Sequence, residues 1–202
     1  EHFLEEVCLG QTPKLGANVV VIGLGLTAID CARIARRVGG KNVKFVYRRT
    51  KKAAPAPEHE IADSEGEGIE VMELVSPTRL IGENGKLTGI VLERMELGSR
   101  DSSGRPRPLP IPDSEFIVPA DDILTAISRT CDYSYLPQEM GFKFRRNKTI
   151  EVDENYMTSV DGVFAGGDGV IGPWTVIAAI AQGRFAADSI EQYLDGKTPK
   201  KG

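Results

Sequence analysis

From Asn18 the chain runs apolar through Val19, Val20, Val21 and Ile22, then turns to glycine at Gly23 and Gly25. A short β-branched run of this kind, entered through Gly16-Ala17-Asn18, predicts a strand buried on both faces, as in a parallel sheet. From about Thr27 to Val38 the period changes. Ile29, Ala32, Ile34, Ala35 and Val38 share one face of a helix, and Gly39-Gly40 stops it. Lys41–Tyr47 (KNVKFVY) then alternates with period two and reads as a second strand. Strand, helix and strand within about 30 residues make a βαβ unit with a right-handed crossover.

A basic loop with prolines, RRTKKAAPAP, leads into an acidic helix over about Glu58–Glu67, and IEVMELV follows as a strand from Ile69. TRLIG, ENGK and LTGIVLERMEL read as strand, turn and strand, with Asn84-Gly85 a strong hairpin signal. GSRDSSGRPRPLPIPDS is rich in proline and glycine and reads as a loop before a further strand, EFIVPA. Asp121–Ser128 (DDILTAIS) predicts another buried parallel strand, GVFAGGD a strand running into a glycine turn, and Thr175–Leu194 a long helix. No internal repeat at a solenoid period is visible. The fold class this predicts is α/β, with two glycine-rich nucleotide signatures far apart in the chain.

Composition narrows the picture. The 202 residues carry a net charge of −4, with 41% hydrophobic and 27% charged residues, which is globular and neither disordered, collagen-like nor disulfide-scaffolded. The length allows one large domain or two small ones. Mild acidity argues against a nucleic-acid or membrane-surface binder, and no apolar run approaches the roughly 20 residues needed to span a bilayer. Cys8, Cys31 and Cys131 are too widely spaced for a disulfide framework or a CxxC pair, so a reducing, cytoplasmic compartment is expected. The chain begins EHFLEEVCLG, without Met, and ends in the polar tail DGKTPKKG. It reads as a piece of something longer, or as a processed chain.

Gly23-Leu24-Gly25-Leu26-Thr27-Ala28 fits G-x-G-x-x-A, directly after a strand and before a helix. The spacing has a chemical reason. Gly23 makes the tight turn, Gly25 lets backbone approach a pyrophosphate, and Ala28 permits close helix–strand packing, while the helix N-terminus offers its unpaired N–H groups. Where an NAD site places a carboxylate for the ribose diol, this chain has Tyr47-Arg48-Arg49. An arginine fork there suits a 2′-phosphate, so NADP(H) is favoured over NAD(H). The stretch Lys41–Lys52 holds six basic residues and no acid, and its outer lysines read as a solvated face.

The second motif, FAGGDGVIGPWTVIAAIAQGRFAADSI, joins Gly166-Gly167-Asp168 to a long helix. Asp168 can accept hydrogen bonds from sugar or ribityl hydroxyls, and the helix dipole can stabilise negative charge on a flavin edge. An Asx turn followed by a helix cap explains the same residues. Both readings stand at this stage.

Taken together, VVVIGLGLTAIDCARIARR, VYRRT, PAPEHEI, SGRPRP, VPADDILTAI and GVFAGGDGVIGPWTVIAAIAQGR resemble the small (beta) subunit of NADPH-dependent glutamate synthase. They are also similar to the flavin–NADPH half of dihydropyrimidine dehydrogenase and to related pyridine nucleotide-disulfide oxidoreductases. The similarity runs from about residue 3 to 195 in the same order. It implies a connecting segment over 1–13, a Rossmann-like NADPH-binding domain over 14–119, and the C-terminal part of an FAD-binding domain over 120–202. Gly23, Gly25, Leu26, Thr27 and Ala28 would then take the NADP pyrophosphate, and Arg48 and Arg49 the 2′-phosphate. Asp30 would lie towards the nicotinamide, although a solvated helix acid explains it equally. Gly167 and Asp168 would contact the ribityl and pyrophosphate of FAD, and Thr175 and Val176 would approach the flavin ring.

The resemblance implies an oxidoreductase that passes hydride from NADPH to FAD and electrons onward to an iron–sulfur protein or larger subunit. The alternative is an NADP-binding module with no turnover of its own, because the family's first FAD half is absent. Also absent are the family's upstream cluster cysteines. Ser128 stands where relatives carry Gly, and Cys131 where Pro is frequent. His2 and His59 are isolated and read as surface residues, so no metal site is expected. No nucleophile or general-base constellation is required, since the cofactors carry the chemistry.

Overall fold

The computed structural model describes residues 2–101 and 104–197. The chain divides into two compact units, Glu1–Ile127 and Ser128–Gly202.

The first unit is built on a four-stranded parallel sheet. Strand β1 (Asn18–Ile22) is central, between β2 (Asn42–Tyr47) and β8 (Asp122–Thr125), with β3 (Glu70–Glu73) beyond β2. Register runs Val19↔Val43 through Ile22↔Val46 on one side of β1 and Val19↔Asp122 through Ile22↔Thr125 on the other. The unbroken valine run follows from this position. Val19 and Val21 pack into the cluster that holds Ala28, Ile29, Ala32, Phe45 and Ile61, while Val20 joins Val46, Ile90, Leu92 and Val118 in a second cluster. All three valines are at most 1% exposed, so no position in the strand has water to face.

One cluster belongs to the helical layer. It takes in α1 (His2–Cys8) through Phe3 and Leu4, α2 (Leu26–Arg37), which crosses from β1 to β2, and α3 (Glu58–Gly66). The other is the antiparallel sheet of β4 (Val75–Glu83), β5 (Lys86–Arg100) and β7 (Phe116–Pro119), with β6 (Pro106–Pro110) on the far end of β5. The predicted βαβ unit, acidic helix and hairpin are all present. Asn84 and Gly85 have φ values of 51° and 75°, the pair of positive angles that a two-residue hairpin of the right twist demands.

Two stretches of the first unit differ from expectation. IEVMELV is broken at Leu74, whose φ of 54° ends β3 and lets β4 begin in another sheet. Its N–H turns to the Arg49 carbonyl at 3.2 Å. The stretch read as a proline-rich loop is partly strand, because β5 runs on to Arg100 and pairs with β6. Pro106, Pro108 and Pro110 recur with period two, and the Ile111 N–H donates to Arg94 at 2.9 Å. The prolines therefore fall on the outward set of an edge strand, where no donor is needed. Asp122–Thr125 pairs with β1 in the parallel sheet, within the stretch Asp121–Ser128 expected as a buried parallel strand.

The second unit contains α4 (Asp168–Ile171), α5 (Val176–Leu194) and a segment of short turns. GVFAGGD, predicted as a strand, is reduced to one bridge, Met157↔Phe164. Ring contacts Phe164–Tyr193 and Tyr156–Phe185 tie that segment to α5, and the Tyr193 hydroxyl donates to Asp161 at 2.9 Å. Ser128 has φ 89°, a conformation that glycine adopts freely and serine does not. Part of the polar tail, 198–202, lies outside the described residues.

Candidate nucleotide sites

Gly23 is at φ 125°, and a Cβ there would come within 2.4 Å of the Ala126 carbonyl oxygen. Its N–H donates to Val46 at 3.0 Å, and the Ala126 N–H donates to Ile22 at 2.9 Å. The turn is thus wedged between the carboxyl ends of β2 and β8, and only glycine fits it. Gly25 is different. It has extended backbone (φ −103°, ψ 178°), caps α2, and a Cβ would meet only Pro55, at 3.9 Å. Leu26 and Thr27 are exposed in the first turn of α2, Ala28 is fully buried against the sheet, and no acid occupies that turn. A twelve-residue helix therefore presents its unpaired N–H groups to solvent beside a bare backbone. Asp30 is exposed one turn further along.

The loop after β2 folds back towards the glycine turn. The Ala56 N–H donates to Leu24 at 3.2 Å, and the Tyr47 hydroxyl donates to the Ala53 carbonyl at 2.9 Å. Glu73 accepts from the Lys51 N–H, and Lys51 pairs with Glu65 at 2.9 Å. Burial pushes the Tyr47 phenol above its ordinary range, opposed by the charges of Arg49, Arg105 and Arg48.

The two arginines have different surroundings. Arg48 is exposed. Arg49 is only 5% exposed; its Nε donates to the Pro106 carbonyl at 2.7 Å and its Nη2 to Asp101 at 2.9 Å. Nothing local in the sequence marks Asp101 as a partner, since it lies 52 residues away in the stretch read as loop. Proline at every second position from Pro106 was the available signal for a strand there.

In the second unit, the double glycine lets the turn approach α5. A Cβ on Gly166 would stand 3.3 Å from Gln182 backbone, and Gly167, at φ 67°, donates its N–H to the Gln182 side chain at 2.8 Å. Asp168 is exposed at the start of α4. The Tyr133 hydroxyl donates to Gly169 at 2.7 Å, Arg145 to Val170 at 2.8 Å, and Cys131 Sγ lies 3.5 Å from the Asp168 carbonyl. Burial and the neighbouring Cys131 push the Tyr133 phenol up to about 12. Thr175 caps α5 by accepting from the Ala178 N–H at 3.3 Å, and Val176 beside it is 75% exposed. The expected site residues thus fall into two groups, one at each glycine turn. Cys31, read as a packing residue, is buried in the helical cluster.

Comparison with known proteins agrees with this architecture. A family model described as pyridine nucleotide-disulphide oxidoreductase matches residues 4–183. The NADP(+)-dependent formate dehydrogenase subunit beta of Moorella thermoacetica is 45% identical over 194 residues, covering 95% of this chain and 27% of that protein. The glutamate synthase [NADPH] small chain of Azospirillum brasilense is 40% identical over 190 residues, covering 93% of this chain and 39% of the relative. The chain thus spans well under half the length of these relatives. Among solved structures, T. acidophilum thioredoxin reductase superposes with a TM-score of 0.71 at 23% identity, covering 90% of this chain and 53% of that one. Among the described residues no helix is long and apolar enough to cross a membrane. With nearly the whole sequence matched by the family model, and with the glycine turn, the parallel sheet and the second glycine motif in place, the chain belongs to the pyridine nucleotide-disulphide oxidoreductase family.

Proposed function

We propose that this chain supplies the NADPH site, and part of the FAD site, of a flavoprotein oxidoreductase of the glutamate synthase small-subunit type. The observation that carries the reading is the glycine turn. Gly23 is required by the fold itself, whereas a Cβ on Gly25, at the N-terminus of α2, would meet only Pro55 at ordinary contact distance but would obstruct a pyrophosphate. That cradle fits a dinucleotide. Arg48, exposed just past β2, supplies charge for a 2′-phosphate, and the sequence from Lys41 to Lys52 holds no acid to accept a ribose diol.

In this reading Leu26, Thr27 and Ala28 offer backbone N–H groups to the pyrophosphate, and Asp30 lies towards the nicotinamide. Gly167 and Asp168 meet the ribityl and pyrophosphate of FAD. Thr175 and Val176 open α5 towards the flavin, with the positive end of a nineteen-residue helix behind them. The segment around 14–119 serves NADPH and the C-terminal part serves FAD. A nicotinamide and a flavin held by these residues would supply hydride and electron transfer towards an iron–sulfur acceptor or larger subunit. The chain's own part is to bind and orient. The naming of relatives as a formate dehydrogenase subunit and a glutamate synthase chain supports such a partner. Three free cysteines fit a reducing, cytoplasmic setting.

The alternative reading is a nucleotide-binding module without turnover of its own. Replacing Arg48 with alanine tests the cofactor choice. The expected result is a selective loss of NADPH affinity with NADH almost unaffected, and equal losses would contradict it. A visible flavin spectrum in the purified chain separates enzyme from module.

A further inference from the structure

The arginine pair and the β5–β6 turn make one unit, and that unit bears on nucleotide choice. Asp101 closes the turn: its N–H donates to the Arg105 carbonyl at 2.8 Å, its carbonyl accepts from Gly104 at 2.9 Å, and its Oδ1 accepts from the Arg105 N–H at 3.2 Å. The other carboxylate oxygen takes Arg49 Nη2 at 2.9 Å, while Arg49 Nε reaches the Pro106 carbonyl at 2.7 Å. One buried guanidinium therefore grips both sides of the turn. The side chains of this ion pair are only 6% and 24% exposed. Such a pair holds geometry firmly, because releasing either partner leaves a charge without water.

The anchor lies next to Tyr47, the last residue of β2, at the sheet edge where the glycine turn opens. It brings Arg105 with it. Arg105 is exposed, and its backbone is joined to Asp101 and, through the adjoining Pro106 carbonyl, to Arg49, the chain neighbour of exposed Arg48. Arg49 has its charge matched by Asp101.

We propose that Arg105, carried on the turn of the β5–β6 hairpin, is a specificity-determining cation for the 2′-phosphate alongside Arg48, and that Arg49 and Asp101 are positioning residues that hold it there. This rests on the NADPH reading above and reassigns one member of its arginine pair. The chemistry is that of a phosphate between two cationic groups from separate elements, one of them on a loop locked from beneath.

The test is a calorimetric comparison of NADPH and NADH binding to the full chain and to R48A, R105A, D101N and the D101N/R105A double variant, with thermal unfolding of each. Arg105 is exposed, so R105A retains the fold. It is expected to weaken NADPH about threefold to tenfold and leave NADH unchanged. D101N is expected to lower the NADPH preference too, and the double variant to lose little beyond R105A, because Asp101 acts through Arg105. If R48A abolishes the preference while R105A leaves it intact, the inference about the hairpin is overturned and the NADPH reading stands. If D101N loses NADPH and NADH alike, Asp101 serves only the fold, and its positioning role is overturned. If neither arginine variant alters the preference, or the unaltered chain binds neither nucleotide, the NADPH reading fails and this inference with it.

Discussion

Gly23 and Gly25 are two residues apart and do different work. The first is a requirement of folding, since any Cβ would drive into the Ala126 carbonyl and the φ of 125° is strained for other residues. Gly23→Ala is expected to destabilise the first unit by about 1–3 kcal/mol, measured by chemical denaturation. The second tolerates a methyl group in the free protein. Gly25→Ala should melt within about a degree of the parent, as a surface substitution does, yet lose nucleotide affinity. A variant that melts low and still binds would reverse these assignments. The contrast was only half legible in the sequence. The motif marks both glycines, but the carbonyl that excludes a side chain at Gly23 is that of Ala126, just past β8 and far along the chain. Arg49 shows the same limit. Its type and place suggest a phosphate ligand, and its burial depends on Asp101 in a distant turn.

At the scale of elements, α2 and α3 are clasped by charge. Arg33 reaches Glu60 at 3.3 Å and Glu67 at 2.7 Å, and Arg37 reaches Glu67 at 2.9 Å. The bonds from Arg33, then its charge and that of Arg37, hold the Glu67 carboxyl below its ordinary range. A carboxylate with a depressed value in the folded state adds stability above its ordinary value, and that stability is lost as the pH falls through the depressed one. Glu67→Gln is therefore expected to be less stable than the parent by about 1 kcal/mol at neutral pH, with the gap closing below about pH 4 as the parent itself protonates. Denaturation curves at pH 7 and pH 3 check this, and a constant gap would contradict it. Elements with a local pattern could be read from the chain: the valine run of β1, the period of α2, the Asn84-Gly85 turn. Strand β6 was harder to read, because its prolines imitate a loop and only their period of two hints at the edge strand that pairs with β5. Among the described residues the strand expected at Gly162–Asp168 makes a single bridge, Met157↔Phe164.

Over the whole molecule, a net charge of −4 coexists with a basic stretch at Lys41–Lys52 and with Arg105 of the β5–β6 turn. An anionic dinucleotide is drawn to that local charge against the general field, so its binding depends on ionic strength. Raising salt from about 0.05 to 0.5 M is expected to weaken NADPH several-fold and NADH much less; parallel losses would place the phosphate elsewhere. The most direct measurement is a calorimetric titration of the chain with NADPH and then NADH. Preferential binding of NADPH, with one site per chain, is the result expected from the glycine turn and Arg48 acting together. Equal affinity for both nucleotides, or preference for NADH, would contradict the assignment of the basic edge to the 2′-phosphate.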